Sequence, residues 1–436
     1  MAQNDGILNL NRAICVAAGE AEKADQQPLA LSKDEALMYG IYLNDYVKSL
    51  SQIQPSLIPR PTFDSYISSL KAKSRPPPTE PLVHIKITHT AINHVDLLYA
   101  HGVHQNNKSG LFVPPFTLGL EFGGIVLNVM QPSTTPSQKC HVKPGDKVWG
   151  GSIGTHAEEL ILPASAVHLL PSPKWSLHEM AALGAGTIPV SYGALTTIAG
   201  LKAGETILVH AAAGGLGVYA VQIARALGAR VIGTVGSVHK VSVVEGLLRD
   251  PNTGEIPRGE GVVNYSKDGW EKEILAICNQ VAKDGVDVVY DTVGLVTKSI
   301  RCTTFNGRIV VAGFAARTGT GAEKVDELEK VAVNRILLKQ IKVLGYRFGE
   351  TSRRLPQETI KMWKGLNEML AREERVIKPV VYATYKGLDN VNEAMEALSQ
   401  RKVYGKAVIE VCDEHEALRE VQQRTDQSQK GGLARL

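Results

Sequence analysis

The clearest chemistry in this sequence sits in a strand-forming run, Thr206-Ile-Leu-Val-His210, that opens into a glycine-rich turn and then a helical stretch, GVYAVQIARAL. The turn is Ala213-Gly214-Gly215-Leu216-Gly217. Glycines at 214 and 215 let the backbone approach a pyrophosphate, and Gly217 lets the helix pack closely on the strand. A helix starting there turns free N–H groups and its positive dipole end toward phosphates. Ala212 stands where the usual G-x-G-x-x-G has its first glycine. A second strand, Arg230 to Thr234, closes a βαβ unit of about 30 residues. An NAD site usually ends that strand with an acid for the ribose 2′-OH. Here the stretch is Thr234-Val-Gly-Ser-Val-His-Lys240, with no acid. The Ser237 hydroxyl and the Lys240 cation suit a 2′-phosphate, so NADPH is expected over NADH. On spacing alone Lys240 also reads as a solvated helix lysine.

Around this turn, short apolar runs (TILVH, RVIGTV, DVVYD, RIVVAGF) alternate with helical stretches, the texture of a parallel sheet covered on both faces. Earlier in the chain, from Pro114 to Leu170, the runs FGGIVLNV, GDKVWGG and HAEELILP are separated by Gly, Pro and Asp, as in a small β-barrel. Strands are expected at Arg12 to Ala18 and at Pro81 to Ile92. Between them Ser32-Lys33-Asp34-Glu35 reads as a capping box. Ala36, Tyr39, Leu43, Val47 and Leu50 then recur at helical spacing, predicting a helix over about 33–52 that must accommodate Gly40. Residues 22–80 are read as an insertion in the antiparallel domain. After DNVNEAMEALSQ and YGKAVIEV, the mixed-charge residues from Asp413 on predict a loose helix and a frayed tail.

A chain of 436 residues fits two domains. Hydrophobic residues at 44% and charged residues at 21% are the balance of a soluble globular enzyme. The formal charge of +4 is not gathered into a basic block, which argues against nucleic acid as a partner. No apolar run reaches the roughly 18 residues a membrane helix needs, and no secretory signal is read at the N-terminus. Five scattered cysteines make neither a disulfide framework nor a paired metal motif, so a reducing compartment is expected. The chain is placed in the cytoplasm, with a peroxisomal address as the alternative because Ala434-Arg435-Leu436 is similar to S-K-L.

HAAAGGLG, VIGTVGSVHK, VVNY, VVYDTVG and NGRIVVAG, taken together, resemble successive blocks of the zeta-crystallin-like NADPH:quinone oxidoreductases, the zinc-independent branch of the medium-chain dehydrogenase/reductase superfamily. The resemblance runs from Pro81 to Glu410 and includes Asn93-His94-Val95-Asp96 and PPFTLGLEFGG. It implies an α/β architecture: a GroES-like β-barrel catalytic domain plus a Rossmann doubly wound parallel sheet. The corresponding bounds are 1–187 with the insertion at about 22–80, 188–349 for the NADPH-binding domain, and 350–436 for the return and tail. It further implies that Ser237, Lys240, Tyr265 and Arg401 lie near the adenosine phosphate, and Gly313 and Phe314 beside the nicotinamide. Zinc-dependent cousins carry Gly-His-Glu where this chain has Gly119-Leu120-Glu121, and a cysteine at the place of Asn93, so no metal is expected.

The implied activity is hydride transfer to a small quinone or α,β-unsaturated carbonyl, with Asn93 and Asp96 organising the cleft wall. His104 and Tyr192 are candidate polar groups near the acceptor, and Leu98 and His104 replace tyrosines that line it in many relatives. An unperturbed histidine donates a proton near neutrality, although His104 also reads as a solvated loop residue. Asp96 also reads as a helix cap. Two other functions remain open at this point: an enoyl-thioester reductase of fatty-acid or polyketide type, and a non-enzymatic NADPH-binding protein. The strand Lys339 to Phe348 is expected at an exposed sheet edge, where a homodimer would form.

Overall fold

The computed structural model describes residues 36–132, 139–315 and 330–433. The strand expected at Arg12 to Ala18, the Ser32 capping box and the Ala434–Leu436 tripeptide lie outside the described residues.

The first described segment is not a helix, which corrects the reading of 33–52. It forms strands β1 (Leu37–Gly40) and β2 (Tyr42–Leu43), and β1 pairs antiparallel with β3 (Ser56–Pro59). Two facts override the helical spacing. The run Leu37-Met38-Tyr39-Gly40 alternates as a strand does, with Met38 buried and Tyr39 exposed. Its backbone is also claimed by the barrel, since the Ile41 N–H donates to His156 O at 2.8 Å and Leu118 N–H to Ile41 O at 2.9 Å. Gly40 is required where β1 crosses β3, because a Cβ there would come within 2.7 Å of the Ile58 side chain. Ile41, Leu43, Val47, Leu50 and Ile53 then bury against Ile92, Leu97, Tyr99 and Phe112. The inserted segment therefore shares the barrel's core.

The barrel lobe is built on β4 (Leu82–Ile92), joined by β5 (Phe116–Thr117), β6 (Glu121–Met130), β7 (Lys147–Gly151), β8 (Glu159–Pro163) and β9 (Val167–Leu169). The cofactor lobe is a six-stranded, wholly parallel sheet of β10 (Thr206–Val209), β11 (Arg230–Val235), β12 (Gly261–Asn264), β13 (Val286–Asp291), β14 (Thr303–Val311) and β15 (Lys342–Gly345). Its order, β12-β11-β10-β13-β14-β15, reverses direction at β10. In such sheets ligands bind at that switch point, outside the carboxyl ends of the strands. The central strands show no alternation of buried and exposed positions. Ile207, Leu208, Val209, Val288 and Val289 are all buried, as strands covered on both faces require.

The chain then returns. β16 (Val381–Lys386) and β17 (Lys406–Glu410) complete a seven-stranded sheet in which β17 pairs antiparallel with β4. Beyond it lies the helix expected from Asp413 on, Glu414–Leu433, but it is docked along its first half and not loose there. Ala417 and Val421 bury against Ile125, Leu127 and Leu177. Arg424 reaches the buried carboxylate of Glu159, which also receives His84 at 2.7 Å and Arg60 from the inserted segment. The four described cysteines 140, 278, 302 and 412 are free thiols.

Candidate active site

The glycine turn leaves β10 through Ala211, whose φ of +48° reverses the chain. The Ala212 N–H donates to Thr234 O at 2.8 Å, fixing the turn to the end of β11. Gly217 begins the helix Gly217–Ala226 against Ala211 O, where no Cβ fits. The opposite lobe meets this turn directly: the Gly405 N–H donates to Ala213 O at 2.7 Å, and the Lys406 stem runs along Gly215. Gly214, Gly215 and Leu216 therefore line the crevice where the lobes join.

At the end of β11 the structure assembles the groups expected around a ribose phosphate. Ser237 is half-buried, and the Tyr265 ring covers Gly236, where a Cβ would meet its hydroxyl at 2.7 Å. The Lys240 Nζ donates to Val403 O at 2.7 Å, tying it to the loop that carries Arg401. Burial and then the neighbouring Arg401 cation push the Lys240 pKa down. Two cations and a phenol gather here, with the Asp291 carboxylate acting on the phenol, and the paired cations fit a bound phosphate dianion. Gly313 and the 43% exposed Phe314 lie at the carboxyl end of β14, where the Ala315 N–H donates to Thr292 O at 3.0 Å. The cradle fits a dinucleotide spanning β11 to β14.

Facing the turn is a buried polar set that the sequence reading only half anticipated. Asn93 precedes the helix His94–Ala100, and its backbone N–H donates to Asp96 Oδ2 at 2.7 Å. Asp96 is fully buried, so its role is to cap this helix and fix Asn93, with His156 at 3.7 Å behind it. The Asn93 amide donates to Glu121 Oε1 at 2.9 Å, and Thr187 Oγ1 donates to Glu121 Oε2 at 3.0 Å. Into this set comes Lys406, only 2% exposed, whose ammonium pairs with Glu121 and donates to Asn93 Oδ1 at 2.5 Å. Lys406 and Thr187 were not singled out from sequence. The signal available was a lysine inside the apolar run of β17 and a glutamate between Leu120 and Phe122, since charges in buried strands are rarely left unpaired.

The same set bears on the question of zinc. The ammonium sits among Asn93, Glu121 and Thr187, and the neighbouring position is Leu120. Among the described residues no group of three or more His, Cys, Asp and Glu side chains could hold a metal ion. A tetrahedral zinc does not fit this donor set.

The other two candidates are placed differently from the expectation. His104 is the N-cap of the short helix Gln105–Lys108; its Nδ1 accepts from the Asn106 N–H at 3.1 Å, and its ring meets Tyr99 edge-on at 4.7 Å. Burial, then Arg347 and His94, lower its pKa to about 4. It is therefore neutral at pH 7, unlike the freely titrating imidazole the sequence suggests. Within this loop Asn107 turns inward, its amide donating to Phe112 O at 2.8 Å, while Gln105, Lys108 and Ser109 stay exposed. Tyr192 points its hydroxyl at Gly365 of the helix Pro356–Leu370, where a side chain would collide with it. It is not joined to the Asn93 set, because the helix Ile188–Gly193 turns Ser191 rather than Tyr192 toward the glycine turn, with Ser191 Oγ donating to Leu216 O at 2.9 Å.

Comparison with known proteins agrees with this geometry. Residues 79–172 match the alcohol dehydrogenase GroES-like domain, and residues 215–367 match the zinc-binding dehydrogenase family. Quinone oxidoreductase-like protein 2 of Bos taurus is 34% identical over 346 residues, covering 77% of this chain and 86% of that protein. Two solved structures share the fold. A probable oxidoreductase from Mycobacterium abscessus has a TM-score of 0.65 at 24% identity, and the JamJ enoyl reductase 0.66 at 20%. Each similarity covers 86% of this chain, and 99% and 100% of the other. With the two-lobed fold, the dinucleotide cradle and these relatives in hand, the chain belongs to the quinone oxidoreductase branch of the medium-chain dehydrogenase/reductase superfamily.

Proposed function

We propose that this oxidoreductase uses NADPH to reduce a small quinone or α,β-unsaturated carbonyl without a metal. The observation that carries this reading is the buried Lys406–Glu121–Asn93 set, standing against the glycine turn where a metal-dependent enzyme needs ligands. A quinone or enone needs no Lewis acid, because the charge it gains on hydride addition is delocalised. The bound dinucleotide supplies the hydride. The chain's own residues bind and orient. Gly214, Gly215 and the helix start at Gly217 cradle the pyrophosphate, and Ser237, Lys240, Tyr265 and Arg401 take the 2′-phosphate. Both ends of the Asn93 amide are engaged, by Lys406 and by Glu121, so Asn93 acts as a rigid wall beside the acceptor.

Homodimer formation belongs to the same proposal. β15 is the outer strand of its sheet, and the preceding helix Val333–Lys339 exposes Val333, Leu337 and Leu338 at 75–80%. An apolar patch beside an open strand edge invites a second copy.

The test is NADPH oxidation by chelator-treated protein with a small quinone and with a free enone. Full rate without zinc is the expected result. Tight NADPH binding with no turnover on either acceptor rejects the reductase reading, and activity restored only by zinc rejects metal independence.

A further inference from the structure

The cofactor lobe carries a second cation far from the phosphate cluster. Arg347 follows Tyr346 just past β15, and its guanidinium donates to Asn106 Oδ1 on the catalytic lobe at 2.6 Å. Among the described residues it has no carboxylate partner, whereas Arg353 and Arg354, close behind it, are both paired with Glu350. The neighbouring carboxylate, Glu350 in the first turn of the following helix, is taken up by those two arginines. His104 is held neutral by burial and by Arg347 itself, and burial and then Arg401 lower the pKa of His94. The sheet order separates this cation from Ser237 and Lys240. β11 and β15 are four strand spacings apart, about 19 Å, with the Gly313–Phe314 segment of β14 between them. A dinucleotide held at β11 and passing β14 leaves Arg347 on the acceptor side. Arg347 is exposed at the seam between the two lobes, so an anion approaching that seam from solvent meets its charge.

We propose that Arg347 binds an anionic group on the acceptor, so that the preferred substrates are conjugated carbonyls bearing a carboxylate or phosphate away from the reacting carbon. The proposal rests on the reductase reading above. It adds the substrate's charge, and it gives the Arg347–Asn106 bond a function: the asparagine holds the guanidinium at the exposed seam between the lobes until the anion takes its place. Charge-assisted pairing is directional for arginine, whose planar fork matches both anions.

The test uses the full-length protein with NADPH present and reads binding separately from turnover. Two pairs of probes are compared by equilibrium dialysis at low salt. One pair is benzylideneacetone with a para-carboxylate and its methyl ester; the other is crotonyl-coenzyme A and the phosphate-free crotonyl-N-acetylcysteamine. The charged member of at least one pair should bind about tenfold more tightly. Arg347→Gln should erase the preference, Arg347→Lys should keep part of it, and Asn106→Ala should keep it. Preference within the first pair assigns the anion as a carboxylate, and preference within the second as a phosphate. Equal binding within both pairs overturns the proposal, as does a preference that survives Arg347→Gln. A preference of this kind without turnover would instead sink the reductase reading and leave the anion site standing.

Discussion

Replacing Lys406 by Met removes the ammonium while keeping most of the stem that lies along Gly215. What remains is a fully buried Glu121 carboxylate that has lost the cation paired with it. Breaking one side of a buried pair costs about 3–5 kcal/mol. The structure argues for the lower end, about 3 kcal/mol, because Glu121 keeps the Asn93 amide at 2.9 Å, Thr187 at 3.0 Å and the Gly186 N–H at 3.3 Å. The double variant Lys406→Met/Glu121→Gln removes the stranded charge and should recover most of that loss. Urea unfolding of the wild type, both single variants and the double variant measures the coupling. A single Lys406→Met variant within about 1 kcal/mol of wild type would refute the reasoning. So would a double variant no more stable than the single one, since the cost would then lie in packing and not in charge.

Lys240→Ala should weaken NADPH binding about tenfold while NADH binding barely changes, and equal losses for both would remove the 2′-phosphate role. Stability should fall on mild acidification, because burial is the main cause that lowers His84, His89, His104 and His168 to about 4. The unfolded chain takes up those protons from about 6.5 downward, so this stabilisation is complete above that pH and lost by about pH 4. A urea midpoint that is flat between pH 7 and pH 5 would contradict it. Light scattering at micromolar concentration should show a dimer, and Leu337→Glu with Leu338→Glu should shift it to monomer. A wild-type monomer ends the edge-pairing proposal.

The cofactor lobe was legible in the residues themselves because its signals are local. A glycine turn, the helix that follows it and short apolar strands each occupy about a dozen contiguous residues or fewer, and their order dictates a parallel sheet. The missing acid after Val235 was equally local, and the structure brings Ser237, Lys240, Tyr265 and Arg401 to one end of that sheet. Residues 36–52 show the opposite case. Their apolar spacing fits a helix, yet the alternation of Leu37–Gly40 and the hydrogen-bonding demand of the barrel at His156 and Leu118 make Leu37–Gly40 and Tyr42–Leu43 strands. The buried polar set around Glu121 was beyond sequence for a related reason. Thr187 and Lys406 stand 66 and 285 residues from Glu121 along the chain, and nothing in their immediate neighbours names the pairing. Burial creates it, because a charge taken out of water must find its counterion wherever the fold has left one. Burial likewise turned His104 from a titratable candidate into a neutral cap, and Arg347, arriving from the other lobe, adds to that effect.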